Sequence, residues 1–379
     1  MPRQVTPERL AEYLRVLELH DQGNSFRDIA NIMGFSDPRT SRFMWIGGLR
    51  HSGRTSEIPV STPRRVRVQH NGRTTTLVVD EQTAWTTNST LTFGIEIECV
   101  GLTTTGAERA LRNAGIVCEN NGYNHTTRPV WKVVTDASLH SRNGACEVVS
   151  PVLSGSDGLT EVRTVMKVLR DAGARINESC GMHIHIGVDQ LTQGHQARII
   201  KAYGAWQWAM TAWILERRVN GNWSQLRSTN ATTALASDWA ASNDRRYLAG
   251  RHDRYYALNV AAYQRHGTFE FRSHHGSLNG QNATAWIAMH LAFIDACKHT
   301  VTFDALCAAL PFGASYQREV MSDGTQGTMP TRAHAVNAGR HLLQRLTGLQ
   351  TGTALNADVC AYLTQRAGNI PTRNSNNNQ

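Results

Sequence analysis

Phe93-Gly94-Ile95-Glu96-Ile97-Glu98-Cys99 alternates bulky apolar residues with small or acidic ones. That two-residue period belongs to a strand that buries one face and keeps the other polar. Two later stretches repeat it: Gly181-Met182-His183-Ile184-His185-Ile186-Gly187 and Thr268-Phe269-Glu270-Phe271-Arg272. The polar positions pair Glu96 with Glu98, His183 with His185 and Glu270 with Arg272. Residues two apart on one strand stand roughly 6.5 to 7 Å from each other, close enough to converge on one metal ion or on neighbouring phosphate oxygens. Any antiparallel sheet can show water a polar face, but an ordinary solvated face favours Thr, Ser, Lys and Gln. Three carboxylates, two imidazoles and a guanidinium are the groups used by metal and phosphate chemistry.

Strand signals near 93–100, 130–135, 146–150, 182–188 and 267–273 are separated by helical patterns at about 106–114, 157–172, 193–217 and 281–299. The strands and helices alternate without strict βαβ regularity. This pattern predicts an α+β fold in which an antiparallel sheet carries the site on its open face and has helices on the other side. The helix near 193–217 is rich in aromatic residues (Tyr203, Trp206, Trp208, Trp213), which are expected in the core or the wall of a cleft rather than as a nucleic-acid stacking platform.

Five segments together resemble the ordered motifs of the amidoligase family. They are FGIEIE at 93–98, WKVVTDASL at 131–139, EVVSP at 147–151, CGMHIH at 180–185 and TFEFR at 268–272. These are carboxylate-amine ligases of the glutamine synthetase and glutamate-cysteine ligase superfamily, and the resemblance spans about residues 91–300. One departure is Ala137, where the family more often has Gly in an Asp-Gly-Ser turn; it bears on the geometry at Asp136 and Ser138. The resemblance implies a glutamine synthetase-like catalytic domain and ATP with Mg²⁺ or Mn²⁺ as cofactors. The substrates it implies are small-molecule or peptide carboxylates and amines. By motif position, Glu96, Glu98, Glu147 and Glu270 are expected metal ligands, with His183 completing one site. His185 is expected at nucleotide phosphate. Arg272, with Glu270, is expected at the transferring phosphoryl or the tetrahedral intermediate. Arg254 and Asn259 sit where the family often has an Arg and an Asn near the nucleotide. Asp136 and Ser138 are expected to orient the amine or acceptor, Asp136 in the catalytic set and Ser138 in the cofactor-binding set. Glu147 could instead cap a strand end, and Asp136 could merely close a turn with its own backbone.

The 379 residues leave room for a sizeable core and an accessory module. The seven cysteines include no C-x-x-C pair and read as reduced thiols in a cytoplasmic setting. No run of 18 apolar residues and no signal-like N-terminus occurs, so neither membrane insertion nor secretion is expected. Net charge is +9, and only Lys132, Lys167, Lys201 and Lys298 among the 39 basic residues are lysines. Guanidinium is the better bidentate partner for phosphate and carboxylate, and the charge favours anionic partners without naming one.

Residues 1–50 read as a separate module. Thr6-Pro7-Glu8 starts a helix, Leu10, Leu14 and Leu17 continue it, and Gly23 stops it. Ser25 and Asp28 cap a second short helix with Phe26, Ile29, Ala30 and Met33 as its apolar stripe. Gly34-Phe35-Ser36 turns, and Asp37-Pro38 opens a third helix running towards Trp45. The order is similar to the helix-turn-helix of many bacterial and phage DNA-binding proteins, in which case Arg39, Thr40 and Arg42 would reach base edges. A three-helix module that contacts proteins or packs on the catalytic domain is the alternative, because Phe43, Met44, Trp45 and Ile46 must bury their side somewhere.

Residues 51–90 read as a linker, Gly/Ser/Thr/Pro/Arg-rich between Gly47 and Pro63, followed by a hairpin around Asn71-Gly72. The hairpin is expected to add to the edge of the catalytic sheet. Residues 301–367 read as a C-terminal extension with a helix over 332–346, and 368–379 as a disordered tail. No internal repeat is visible. Glutamine synthetases build active sites between subunits, and this chain carries no signal for or against an oligomer. Two other functions are compatible with parts of the sequence. One is a DNA-binding regulator or assembly protein on a degenerate ligase fold, against which stands the presence of every candidate ligand. The other is a zinc hydrolase using His-x-His with His274-His275 or a cysteine; four carboxylates, a Glu-x-Arg pair and the lack of a helical H-E-x-x-H speak against it.

Overall fold

Thr6 accepts from the Arg9 amide at 3.3 Å and Pro7 occupies the first turn, so helix α1 runs Pro7–Asp21. The computed structural model describes residues 6–36, 38–54, 66–70, 73–77, 85–124, 126–219, 221–308, 331–349 and 352–368. Helix α2 (Phe26–Met33) opens with a Ser25/Asp28 capping box and ends at Gly34 with φ +70°. Helix α3 spans Pro38–His51, passing through the Gly47-Gly48 pair where the sequence reading began the linker. These glycines do not break the helix because α1 crosses there. A Cβ on Gly48 would lie 2.6 Å from the Tyr13 carbonyl oxygen, and one on Gly47 2.9 Å from the Tyr13 ring. Met44, Trp45, Ile46 and Leu49 share a buried cluster with Tyr13, Val16, Leu17 and Ile29, and Val130 joins it from the catalytic region.

Strands β1 (Val66–His70) and β2 (Arg73–Leu77) pair antiparallel. The Asn71-Gly72 turn itself lies outside the described residues. The expectation that this hairpin extends the catalytic sheet is corrected: it forms a two-stranded sheet of its own. The large sheet ends in strands of three and two residues, which leave few free backbone groups to recruit another strand.

The large sheet comprises β3 (Thr92–Val100), β4 (Cys118–Asn120), β5 (Trp131–Val134), β6 (Ala145–Val149), β7 (Leu153–Ser154), β8 (Gly181–Gly187), β9 (Leu258–Asn259) and β10 (Thr268–His275). Its order is β4-β5-β6-β3-β8-β10-β9, with β7 beside the start of β3. Every pairing is antiparallel except β4 with β5. The fold is therefore α+β, as the alternating pattern predicts. Phe93, Ile95, Ile97, Met182, Ile184, Ile186, Phe269 and Phe271 are all essentially inaccessible and belong to one core. Helices cover that face. Gly158 of α5 (Gly155–Asp171) lies against the Phe93 ring, and Tyr203 of α6 (Gln193–Met210) lies 5.4 Å from the Phe271 ring. Trp239 of α7 (Thr229–Ala241) meets Phe269 at 5.3 Å, and His290 of α10 (Gly280–Lys298) meets Phe271 at 4.4 Å. Tyr203, Trp206, Trp208 and Trp213 are buried there, as expected of core aromatics.

The C-terminal region belongs to the same core. Ala338, Leu342 and Leu343 of Arg332–Thr347 and Val359 and Leu363 of Ala357–Arg366 are part of it. Arg332 donates to the carbonyls of Thr211 and Ala212 at 2.5 and 2.8 Å, tying this region to the turn that follows α6. The expected disordered tail, residues 368–379, lies outside the described residues but for Gly368. No helix among the described residues is long and apolar enough to cross a membrane.

Candidate active site

Register, more than local sequence, assembles the site. In the β3/β8 ladder Glu96 stands opposite His183, in β3/β6 Glu98 stands opposite Glu147, and in β8/β10 His185 stands opposite Glu270. Directly opposed residues bring their Cβ atoms to about 5 Å, so four adjacent strands deliver their polar side chains to one patch. His183 is its centre. Nδ1 lies 3.0 Å from Oε2 of Glu96 and 3.6 Å from Oε1 of Glu270, and Nε2 lies 3.9 Å from Oε1 of Glu98. Two groups of possible ligand atoms result, Glu96/His183/Glu270 and Glu98/Glu147/His183, each with its atoms within 4.8 Å of one another.

Supporting contacts hold these side chains. The Gly181 amide donates to Oε2 of Glu98 at 2.5 Å, and Asn259 donates its side-chain amide to Oε2 of Glu270 at 2.6 Å. Arg272 donates to Oε1 of Glu270 at 2.5 Å and from Nε to the Trp223 carbonyl at 3.3 Å. A β-bulge falls between Phe271 and His274, placing Arg272 and Ser273 where a regular strand would place one residue. Nδ1 of His185 is 2.9 Å from the Thr268 hydroxyl. Its Nε2 is buried without a hydrogen-bond partner, 3.5 Å from Glu96 and 3.6 Å from Glu270.

Four carboxylates in one partly buried patch carry more negative charge than Arg272 can balance. Burial pushes the Glu147 carboxyl up, the charges of Glu96 and Glu98 push it further, and it titrates well above the usual range. For Glu96 burial acts the same way, but the imidazoles of His183 and His185 outweigh it and hold the carboxyl well below that range. Burial likewise raises Glu270, and Arg272 and His185 reverse it, with a net lowering. The patch thus has excess carboxylate oxygen, two imidazoles and one orphaned imidazole nitrogen aimed between two acids. This is the donor set of a hard divalent cation with mixed O/N ligation.

Residues 89–294, more than half of the chain, match the family model described as putative amidoligase enzyme. The chain belongs to this family. No curated protein matches it.

Within the amidoligase segment, the structure brings together Glu96, Glu98, Glu147, His183, His185, Glu270, Arg272 and Asn259. Asn259 spends its amide on Glu270. Arg254 is exposed, with its guanidinium 5.2 Å from the Tyr255 ring centroid, and none of its described contacts reaches the carboxylates. Asp136 accepts from the Ser138 amide at 2.6 Å, closing its turn, and lies near enough to Glu147 to raise that carboxyl. Ser138 is exposed. In the N-terminal helices Arg42 is exposed and Thr40 half-buried; the Arg39 side chain and Asp37 lie outside the described residues.

His274 cannot supply the extra zinc ligand considered above. The bulge turns it to the helical face, where it packs 5.1 Å from the Trp286 ring and lies 3.2 Å from the Asn282 amide. Sequence reasoning missed Lys132. It alternates onto the site face, is nearly inaccessible, and donates to the carbonyls of Asn124 and Thr126 at 2.6 and 3.0 Å. Burial lowers its pKa, against the pull of Glu147 and Glu96. A lone lysine inside the WKVVTDASL stretch was the available signal. Thr268 and Trp223 were also missed, since their roles come from partners far along the chain.

Proposed function

We propose that the protein is an ATP-dependent carboxylate-amine ligase with a glutamine synthetase-like catalytic domain, acting through an acyl phosphate. The observation that carries this reading is the pair of ligand groups that share His183, one built on Glu96 and Glu270 and the other on Glu98 and Glu147. A carboxylate resists an amine because oxide is a poor leaving group. Transfer of the γ-phosphoryl group of ATP to a carboxylate oxygen releases ADP; the amine then attacks the carbonyl carbon, loses a proton and expels phosphate. Phosphoryl transfer demands positioning and charge neutralisation above all. Mg²⁺ or Mn²⁺ held by these carboxylates and His183 would neutralise phosphate charge and leave positions open for its oxygens.

The chain's own groups take the remaining roles. Arg272, fixed at one end by Glu270 and the Trp223 carbonyl, keeps donors for the transferring phosphoryl. His185 meets phosphate through Nε2. Asp136, beside Glu147, orients the amine. The test is calorimetric titration of ATP with Mg²⁺ into wild type and into Glu96→Ala and Glu270→Ala. Magnesium-dependent binding that both substitutions abolish is expected; absence of binding to folded wild type would overturn the reading.

For the N-terminal module, residues 1–50, we propose a helix-turn-helix role that directs the ligase to DNA or a DNA-associated protein. The exposed Arg42 near the start of α3 supports this, while the apolar side of α3 packs with α1 and Val130. Deleting residues 1–60 should abolish modification in a DNA context while sparing ATP turnover. Equal loss of both would sink the idea.

A further inference from the structure

We propose that Trp223, packed at a steep angle against Tyr255, is the stacking platform for the purine base of the nucleotide. This inference rests on the ATP reading of the site and gives it an orientation. Large aromatic side chains are mostly buried in this protein, yet Trp223 is 51% exposed. It stands at the rim of the carboxylate patch, because Nε of Arg272 donates to its carbonyl at 3.3 Å while Nη1 of the same guanidinium holds Glu270.

The indole is rigidly presented. Tyr255 packs against it with centroids 4.9 Å apart and planes at 76°, and about half of Trp223 stays exposed. The segment that carries it is pinned by the Gln225 amide donating to the Tyr255 carbonyl and the Ala257 amide donating to the Gln225 carbonyl, both at 2.8 Å. Ser224 adds a bond from its hydroxyl to the Arg218 carbonyl at 3.2 Å. A platform fixed in advance loses little entropy on binding.

Two arginines stand against the tyrosines of this segment. Arg254 lies 5.2 Å from the Tyr255 centroid and Arg227 stacks 3.4 Å from that of Tyr256. A nucleotide laid from Arg272 outward would put its phosphates against the guanidinium and imidazoles. Its base would then lie on the exposed indole, with Arg254 beside the tail of phosphates and sugar. Indole gives the strongest stacking of the protein side chains, and stacking accepts any base with a π-face.

The test compares MgATP with magnesium tripolyphosphate, which has the charge but no base, by calorimetry on the full chain. Wild type should bind MgATP about tenfold or more tighter than tripolyphosphate, as one stacked base contributes. Trp223→Ala should remove that margin for MgATP and leave tripolyphosphate unchanged, and Trp223→Phe should keep most of it. Quenching of tryptophan fluorescence by MgATP, but not by tripolyphosphate, should vanish in Trp223→Phe. Unchanged MgATP affinity in Trp223→Ala, or equal weakening of both ligands, overturns the platform while leaving the ligase site standing. Wild type that binds neither ligand overturns both readings.

Discussion

Asn259 donates its side-chain amide to Oε2 of Glu270 at 2.6 Å, across the β9/β10 ladder that pairs the same two residues. With Arg272 on Oε1, both oxygens of this buried carboxylate are fixed before any ligand arrives. Fixed orientation of a ligating carboxylate is worth about 10- to 100-fold in metal affinity.

Asn259→Ala should therefore weaken Mn²⁺ binding by about tenfold or more without loss of fold. Titration of Mn²⁺ monitored by electron paramagnetic resonance, beside circular dichroism of the same samples, reads both. An unchanged affinity would mean that Arg272 alone positions Glu270.

Neutralising one acid should relieve the repulsion among the carboxylates of the patch. Burial and then the charges of Glu96 and Glu98 push the Glu147 carboxyl well up, so an ionised carboxylate is disfavoured there, and Gln keeps the shape with no charge to place. Metal-free Glu147→Gln should melt higher than wild type by a few degrees, since about 1 kcal/mol corresponds to roughly 2–4 °C in a domain of this size. Added Mg²⁺ should stabilise wild type more than the variant. Differential scanning calorimetry with and without Mg²⁺ decides the point.

Acid sensitivity should come from two buried histidines. His290 donates from Nδ1 to the Trp286 carbonyl at 2.9 Å, and its Nε2 has no hydrogen-bond partner. Burial pushes it down to about 3, and His274 down to about 4. Both are depressed in the folded protein, so their contribution is complete above the unfolded value near 6.5 and is lost as pH falls through the folded values. Between those limits each should cost about 1.4 kcal/mol per pH unit. His290→Phe, which keeps an aromatic ring beside Phe271 and Trp286, should flatten the stability profile between pH 6.5 and 4 in urea titrations.

The helical module should be sensitive at Gly48. A methyl there meets the Tyr13 carbonyl oxygen at 2.6 Å, and backbone cannot yield as a flexible side chain does. Gly48→Ala should cost the α1/α3 packing about 1–3 kcal/mol. Hydrogen exchange should quicken in α1 and α3 and stay unchanged in β3 and β8; uniform change along the chain would contradict a locally stabilised module.

Alternation in residues 93–99, 181–187 and 268–272 was enough to read three strands and the direction of each side chain, because on a strand that direction is local. Caps read equally well: Thr6, the Ser25/Asp28 box and Gly34 act within one helical turn. Short elements escaped, among them β9, which holds Asn259, and α7, which covers Phe269. Two to thirteen residues of mixed polarity give no period to count, and tertiary packing fixes their conformation. Gly47-Gly48 was misread as linker because the residue that makes glycine necessary, Tyr13, lies on another helix.

By itself the sequence determined which side chains share a face: Glu96 with Glu98, His183 with His185, Glu270 with Arg272. The family match over residues 89–294 adds the class of chemistry. Tertiary structure decided that His183 stands between the two acid groups, that Asn259 and Arg272 clamp Glu270, and that Trp223 flanks Arg272. Local pattern orients a side chain, but its neighbours across strands follow from register and from loops that return over dozens of residues, and the energy that fixes these resides in the shared core beneath the sheet.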